Sequence, residues 1–222
     1  MRFIIIGGGG FGLELYTYIL CDIRSGRLPA NSAICVLDEV ADCEVMRRIP
    51  ELDYLGRVQE FIASEGDQAL IAIGHVGNRK KTYRLAQERR IPMTTYIHSS
   101  AWVAPSAIIG QGCIVSPNCV ISAYAEIADN VAMNVFSGVG HGAKVGAHCV
   151  MGPYSVINGD TSLGEGCYLG TRATLFPSVN LGKGCVVDTH SAVKASSGDF
   201  KIITVRGQYQ VLDNRFAERS LD

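Results

Sequence analysis

Apolar residues recur at every sixth position through the second half of the chain, without an insertion or a slip. The repeat has seventeen units, which open at Ile97, Val103, Ile109, Val115, Ile121, Ile127, Met133, Val139, Val145, Met151, Ile157, Leu163, Leu169, Leu175, Leu181, Val187 and Val193. The fifth position of each unit is small: Ala, Cys, Ser, Thr or Val. A short period with one apolar leader is typical of a parallel β-helix, whose stacked turns bury the leaders along one interior. Three units close a triangular turn, so residues eighteen apart are predicted to lie above one another at about 4.8 Å.

The first half of the chain follows a different pattern. Apolar runs at residues 3–6, 33–37 and 69–73 predict buried strands, and a helical stretch follows the first of them. Each run ends in a polar or glycine-rich loop, and in a parallel sheet such loops share the edge where ligands bind. The predicted organisation is an α/β domain over residues 1–96, a β-helix over 97–198 and a tail over 199–222.

The first apolar run leads directly into Gly7-Gly8-Gly9-Gly10-Phe11-Gly12, which fits the pattern Gly-x-Gly-x-x-Gly between a strand and a helix. Backbone N–H groups at such a helix start can hold a phosphate or pyrophosphate, although a tight turn without a ligand has the same pattern. The acidic pair Asp38-Glu39 lies 26 residues beyond Gly12, a loose match to dinucleotide-binding domains, and the region is short for a six-stranded one. The pattern favours a smaller nucleotide ligand, with Asp38 and Glu39 accepting hydrogen bonds from a base or ribose or simply ending a strand.

Charge and composition exclude several classes of function. The formal net charge is −1 and the pI is near 6.5, so no basic surface indicates binding to nucleic acid or an anionic membrane. The first apolar run is too short for a signal peptide or a membrane span, and we expect a cytoplasmic protein. Five of the eight cysteines occupy small fifth positions and are expected to be buried thiols: Cys113, Cys119, Cys149, Cys167 and Cys185.

Among the five histidines, His141 has the most unusual surroundings. It lies between glycines in Gly138-Val139-Gly140-His141-Gly142-Ala143, at a predicted corner where a substrate could reach the imidazole. By residue type alone, an ordinary surface role is as compatible with this position as catalysis. The others are His75 in the third loop of the first domain, His98 at the junction, and His148 and His190 at fourth positions, which are expected to point outward.

The order of the two patterns, together with the segment Asn134-Val135-Phe136-Ser137-Gly138-Val139-Gly140-His141, resembles a family of bacterial nucleotide-sugar N-acetyltransferases. These enzymes acetylate UDP-, dTDP- or GDP-linked 4-amino-4,6-dideoxy sugars for surface glycans such as O-antigen, and sialic acid O-acetyltransferases are their relatives. The resemblance covers nearly the whole chain. It implies a Rossmann-like nucleotide-binding domain, a left-handed β-helix, a homotrimer, and acetyl-CoA in the groove between neighbouring rods. The left hand comes from the resemblance alone, since general rules favour right-handed crossovers.

Site residues also follow from the resemblance, position by position. Those placed around the nucleotide are Gly9, Gly10, Phe11, Asp38, Glu39 and Gly74, and those assigned to the CoA groove are Gly159, Val150, Thr171 and Thr189. Asn134 matches the asparagine near the sugar, and His141 matches the general base, a role that suits a neutral imidazole. The backbone N–H of Gly159, one eighteen-residue turn beyond His141, is the expected oxyanion donor. Direct attack is favoured because Cys119 and Cys149 occupy interior positions, and no metal is expected.

The chain departs from the family pattern at two places. Gly142 follows the histidine where the family usually has Asp or Glu, and Thr204-Val205-Arg206-Gly207 replaces a terminal Gly-Val-Pro-Ala-Lys segment. Three alternatives stay open: an O-acetyltransferase of a sialic-acid-type sugar, a zinc enzyme of the γ-carbonic anhydrase type using His141 and His148, and a non-catalytic trimeric binding protein. The nucleotide base, the sugar and the acyl group stay open as well.

Overall fold

The structure, a computed structural model, describes residues 1–205 of the 222-residue chain, so residues 206–222 of the predicted tail lie outside it. The first part of the chain forms an α/β domain. Its elements are β1 (Arg2–Ile6), α1 (Gly10–Arg24), β2 (Ala33–Leu37), α2 (Glu44–Arg48), β3 (Asp53–Tyr54), β4 (Asp67–Ile71) and α3 (Val76–Glu88). The four strands are parallel, in the order β3-β2-β1-β4. The order reverses between β1 and β4, which makes the edge beyond these two strands the switch point of the sheet.

Strand β1 shows why the apolar runs of this domain are continuous. Phe3 and Ile5 pack on one face of the sheet with Leu15 of α1, while Ile4 and Ile6 pack on the other face with Tyr83 of α3. Both faces of the sheet are therefore buried, as is typical of parallel sheets.

The second part of the chain is a β-helix of eighteen two-residue strands in three parallel sheets. The first sheet, here called the covered face, contains β5 (Tyr96–Ile97), β8 (Ile114–Val115), β11 (Ala132–Met133), β14 (Val150–Met151), β17 (Tyr168–Leu169), β20 (Val186–Val187) and β22 (Ile202–Ile203). The second, the apolar face, contains β6 (Trp102–Val103), β9 (Val120–Ile121), β12 (Gly138–Val139), β15 (Val156–Ile157), β18 (Thr174–Leu175) and β21 (Ala192–Val193). The third, the polar face, contains β7 (Ile108–Ile109), β10 (Glu126–Ile127), β13 (Lys144–Val145), β16 (Ser162–Leu163) and β19 (Asn180–Leu181).

The register of the rod is the predicted eighteen residues, as in the pairing of Ala132 with Val150. The prediction that unit leaders and small fifth positions share one interior is confirmed from Cys113 to Val193, where the apolar members form a single buried cluster. The first leader, Ile97, is 40% exposed at the end of the rod. The last turn differs, since Val186 pairs with Ile202, only sixteen residues later. The expected tail from residue 199 therefore contributes a final strand to the rod, and the boundary expected at residue 198 is corrected.

The corners of the rod have one repeated conformation. The fourth residue of each six-residue unit, from residue 112 to residue 190, has a φ between +55° and +69°, in the left-handed region. Three columns result: the domain corner (Gly112, Asn130, His148, Gly166, Gly184), the aromatic corner (Asn118, Phe136, Tyr154, Arg172, His190) and the His141 corner (Tyr124, Gly142, Asp160, Ser178). His141 itself immediately precedes the fourth position of its unit, and its imidazole projects beside the third column.

The three faces of the rod differ in what their outward side chains meet. On the covered face, Ile114 is buried and packs with Phe3 and Ile5 of the first domain. On the polar face, Lys144 pairs with Glu126 at 3.1 Å. The apolar face is uncovered, and its outward side chains are Trp102, Val120, Gly138, Val156, Thr174 and Ala192.

A buried arginine joins the first domain to the domain corner. The guanidinium of Arg79 on α3 donates to the backbone carbonyls of Ile71, Asn130 at 2.8 Å and Gly112 at 3.3 Å. Burial lowers the pKa of Arg79 to about 10, so the side chain stays charged near neutral pH. One side chain therefore ties the sheet of the first domain to two coils of the rod.

Candidate active site

Two loops of the first domain meet at the switch point of its sheet. The loop after β1 ends at Gly9, which caps α1, and Gly10 is the first residue of that helix. The loop after β4 holds Gly74. A Cβ built on any of these three glycines meets no other atom within 4 Å. A ligand can therefore approach the backbone closely at each of them, next to the free N–H groups of a helix start.

Other glycines of the same loop serve packing. A Cβ on Gly8 would lie 2.2 Å from the Cys43 sulfur, and one on Gly12 would lie 2.3 Å from the Gly7 carbonyl oxygen. These residues keep α1 tight against the sheet. The motif thus contains both kinds of glycine, and its open members are Gly9 and Gly10.

The acidic pair and Phe11 have local partners in the structure. Asp38 accepts hydrogen bonds from the backbone N–H of Gly8 at 2.6 Å and of Val40 at 3.0 Å, so its carboxylate fixes the glycine loop. Glu39 accepts from the Gln59 side chain at 3.1 Å and lines a hollow of about 510 Å³. Phe11 is half-buried against the core around α1. Of these three, Glu39 is the side chain left facing open space.

A cleft of about 420 Å³ lies where the loop after β4 approaches the rod. Gly74, His75 and Val76 form one wall, and Gly166, Tyr168 and Val186 form the other. His75 also caps α3, because its Nδ1 accepts the backbone N–H of Asn78 at 3.2 Å. Sequence reasoning did not assign Tyr168 and Val186, which are outward residues of the covered face beyond the reach of the first domain's core.

His141 projects from the rod at the far side from this cleft. Its side chain is 71% exposed, and the Cε1–Nε2 edge of the ring lies where a Cβ on Gly159 would be, at 2.4 Å. Gly159 must therefore be glycine for the imidazole to hold this position. Within residues 1–205, no acceptor takes the N–H of Gly159, a buried residue that lies against the imidazole. The structure thus brings together the predicted base and the predicted oxyanion donor.

A carboxylate that the sequence reasoning missed lies beside His141. The Oδ2 atom of Asp160 is 3.9 Å from His141 Nδ1, and the Asp160 backbone N–H donates to the His141 carbonyl at 2.8 Å. Asp160 stands eighteen residues beyond Gly142, the position where the family usually has Asp or Glu. The eighteen-residue spacing could have identified it.

Asn134 and the threonines lie at the aromatic corner, one face away from His141. The Asn134 amide donates to the Met151 carbonyl at 2.9 Å, which supports the corner, and no group of residues 1–205 donates to its side-chain oxygen. Thr171 is half-buried and Thr189 is exposed, one coil apart. Val150 is only 1% exposed on the covered face, so we leave it out of the CoA groove.

His148 points outward from the rod, as expected, but it is not at the protein surface because the first domain covers it. It is 9% exposed at the domain corner, where its Nδ1 lies 2.9 Å from the Asn130 amide and its ring packs edge-on against Tyr83 at 5.4 Å. Burial lowers its pKa. The zinc hypothesis needed His148 beside His141, but the two histidines lie at different corners.

The comparison with protein families agrees with the rod. The family described as hexapeptide repeat of succinyl-transferase matches residues 160–193. No curated protein shows a significant match to the chain. No helix of residues 1–205 is both long and apolar enough to cross a membrane.

Solved structures resemble this chain over both of its parts. The acetyltransferase domain of PglB from Neisseria gonorrhoeae, also solved with acetyl coenzyme A, has a TM-score of 0.82 and 24% identity, covering 92% of this chain and 96% of its own. PerB from Caulobacter crescentus, a GDP-perosamine N-acetyltransferase solved with CoA and GDP-perosamine, has a TM-score of 0.79 and 25% identity, covering 92% and 94%. WeeI from Acinetobacter baumannii has a TM-score of 0.79 and 19% identity, covering 93% and 97%. The resemblance to amino-sugar N-acetyltransferases that the sequence indicated is confirmed, and this chain shares their fold.

Proposed function

We propose that this protein transfers the acetyl group of acetyl-CoA to the 4-amino group of a nucleotide-linked 4-amino-4,6-dideoxy sugar. The observation that carries the proposal is the exposed His141 imidazole held against Gly159, whose backbone N–H has no acceptor within residues 1–205. Support comes from the structural neighbours, since PerB is a GDP-perosamine N-acetyltransferase and was solved with CoA and GDP-perosamine. The reaction makes a component of surface glycans such as O-antigen and takes place in the cytoplasm.

In this proposal, residues 1–96 form a Rossmann-like domain that binds the nucleotide. Gly9 and Gly10 leave room for phosphate groups at the start of α1, and Gly74 leaves room on the opposite side of the switch point. Glu39, in the hollow beside the sheet edge, accepts hydrogen bonds from the base or ribose. Asp38 keeps the glycine loop in its binding conformation.

The rod supplies the chemistry. His141 accepts a proton from the sugar amine at Nε2 while the amine nitrogen bonds to the acyl carbon. The Gly159 N–H donates to the oxyanion of the tetrahedral intermediate, an interaction that typically contributes about 3 kcal/mol. The carbon–sulfur bond then breaks, His141 passes its proton to the departing thiolate, and CoA leaves as the thiol. Every step uses groups of a single corner of the rod, which supports the proposal.

The arrangement of the faces supports a homotrimer of left-handed rods. The nucleotide loops lie over the covered face and the domain corner, whereas His141 lies at another corner of the same rod. A ring of three copies that packs their apolar faces inward sets the His141 corner of one copy beside the aromatic corner of the next. Trp102, 56% exposed in the single subunit, then becomes buried.

The groove between two such corners fits acetyl-CoA. Gly159 lies on one wall, and Thr171, Thr189 and Asn134 lie on the other wall, which the neighbouring copy supplies. In this arrangement the free oxygen of Asn134 faces the sugar close to His141 of the next subunit. Half of the site thus comes from each copy.

A substrate screen tests this function. Native protein is incubated with acetyl-CoA and UDP-, dTDP- or GDP-linked 4-amino-4,6-dideoxy sugars, and CoA release and the acetamide product are measured. We expect turnover with one nucleotide class and little with the others. Hydroxyl-bearing analogues of the same nucleotides serve as controls, and preferential acetylation of these would indicate an O-acetyltransferase. Absence of turnover on the whole panel, with nucleotide sugar still bound, would indicate a binding protein.

A further inference from the structure

The His141 corner contains an unexpected juxtaposition of two consecutive coils. Gly142 and Asp160 stack in the same left-handed column, with φ values of +62° and +55°. A Cβ built on Gly142 would lie 2.4 Å from Asp160 Oδ1. The Asp160 carboxylate therefore occupies the space where a side chain at position 142 would begin.

This placement brings the carboxylate to the imidazole. Asp160 Oδ2 is 3.9 Å from His141 Nδ1, while the Cε1–Nε2 edge of the ring borders Gly159. The hydrogen bond from the Asp160 N–H to the His141 carbonyl at 2.8 Å fixes the two residues in register. The neighbouring titratable groups are Tyr124 in the preceding coil, 73% exposed, and Lys144, which pairs with Glu126.

We propose that Asp160 is the positioning residue of His141, in place of a carboxylate at position 142. This inference rests on the proposed function and deepens it. Asp160 accepts from Nδ1–H and so leaves the Nε2 lone pair free toward the sugar amine. When Nε2 takes the amine proton, the carboxylate stabilises the imidazolium until that proton passes to the departing thiolate.

The two positions for the carboxylate exclude each other sterically. A side chain at residue 142 would need the volume that the Asp160 carboxylate fills, and the glycine leaves that volume to the carboxylate. The separation of 3.9 Å is an ion-pair distance, longer than a hydrogen bond. Asp160 is 67% exposed in the single subunit, so a small side-chain rotation closes the contact when the groove is filled.

Two substitutions test the role without disturbing the corner. Asn and Gly both tolerate a positive φ, so Asp160→Asn and Asp160→Gly keep the backbone unstrained. We expect each to lower kcat about tenfold or more, while KM for acetyl-CoA changes less than twofold; an orienting carboxylate in a buried catalytic triad contributes far more. Ser178→Gly, in the same column and two coils from His141, is the control for added backbone freedom and should keep native kcat.

A double variant that moves the carboxylate to residue 142 tests whether kcat can be rescued. Asp160→Gly combined with Gly142→Asp moves the carboxylate back by one coil into space that the first change has cleared, and we expect kcat to recover at least half of the loss. Gly142→Asp alone overlaps Asp160 and should lower kcat. Native kcat in both Asp160→Asn and Asp160→Gly, with His141→Asn inactive, would overturn the proposal and leave the proposed function intact.

A measurement that does not depend on turnover separates the role of Asp160 from the proposed acetyl transfer. Histidine-selective ¹⁵N NMR, assigned with His141→Asn, reports which ring nitrogen carries the proton. We expect the Nδ1–H tautomer in the native protein and the Nε2–H tautomer, which free imidazole prefers, in Asp160→Gly. A native His141 in the Nε2–H tautomer would overturn the role of Asp160 whatever the outcome of the substrate screen.

Discussion

His141 and His148 lie seven residues apart on one rod and have opposite surroundings. His141 is 71% exposed beside a glycine and a carboxylate, whereas His148 is 9% exposed beneath the first domain, with Asn130 and Tyr83 as neighbours. The repeat places both at corners, and the docking of the first domain makes the difference. The domain corner stabilises the fold, and in the proposed function the two uncovered corners hold the chemistry.

The largest effect is expected when the uncovered apolar face is charged. Val156→Glu places three carboxylates around the proposed threefold axis, where like charges cost several kcal/mol. We expect the mass in light scattering to fall from about 71 kDa, three times the 23.8 kDa subunit, to one subunit. Turnover should fall about 100-fold or more, because the reactants are no longer held together. Asn180→Glu on the polar face is the matched control, and equal behaviour of both variants would argue against a trimer through the apolar face.

At the domain corner, thermal stability should be most sensitive to substitution of Arg79. Arg79→Met leaves three buried carbonyl groups without their donor, at a cost of about 3 kcal/mol or more. For a chain of this size Tm should fall by roughly 6–12 °C. Arg84→Met, an exposed position on the same helix, should change Tm little. A similar Tm for both variants in calorimetry would show that the buried arginine is not what joins the two parts.

The period of six predicted the rod, its register and its interior, because one apolar leader and one small residue per unit fully specify a stacked turn. The roles of the corner residues were harder to predict. His148 occupies the same position in its unit as Tyr154, and only the docking of α3 through Arg79 buries it. The eighteen-residue spacing predicts that Asp160 stacks on Gly142. The direction of the Asp160 side chain could not be predicted in the same way, because it depends on the space that the glycine leaves open.

The glycine motif gives a third contrast, between the open positions Gly9 and Gly10 and the packed positions Gly8 and Gly12. Gly10→Leu adds a side chain in open space, so the protein should still fold, while the side chain blocks the approach of a phosphate. We expect KM for the nucleotide sugar to rise about tenfold, equivalent to about 1.4 kcal/mol, with KM for acetyl-CoA unchanged. Thr17→Leu, exposed on the same helix, is the control. Equal increases in both KM values would count against nucleotide binding at this loop.

The smallest effect concerns pH. Burial lowers the pKa of His148 and of His98, so the folded protein keeps both rings neutral. Below about pH 6.5 the unfolded chain takes up protons first, so their contribution to stability is complete above that pH and is lost as the pH falls. His148→Asn, which suits the left-handed corner, should flatten the decline in unfolding free energy between pH 7 and pH 5.5. A urea-denaturation series with an unchanged slope would contradict this assignment.

In the proposed reaction, His141 is the base that deprotonates the sugar amine. This role is tested by kcat of His141→Asn, measured across pH with the preferred nucleotide sugar, together with calorimetric binding of acetyl-CoA. Gln111→Asn, at the third position of its own unit, is the control. We predict that His141→Asn lowers kcat by about 10²–10⁴-fold while acetyl-CoA binding stays within twofold of native. Native kcat in His141→Asn at every pH would contradict this role, because the amine would then lose its proton without this histidine.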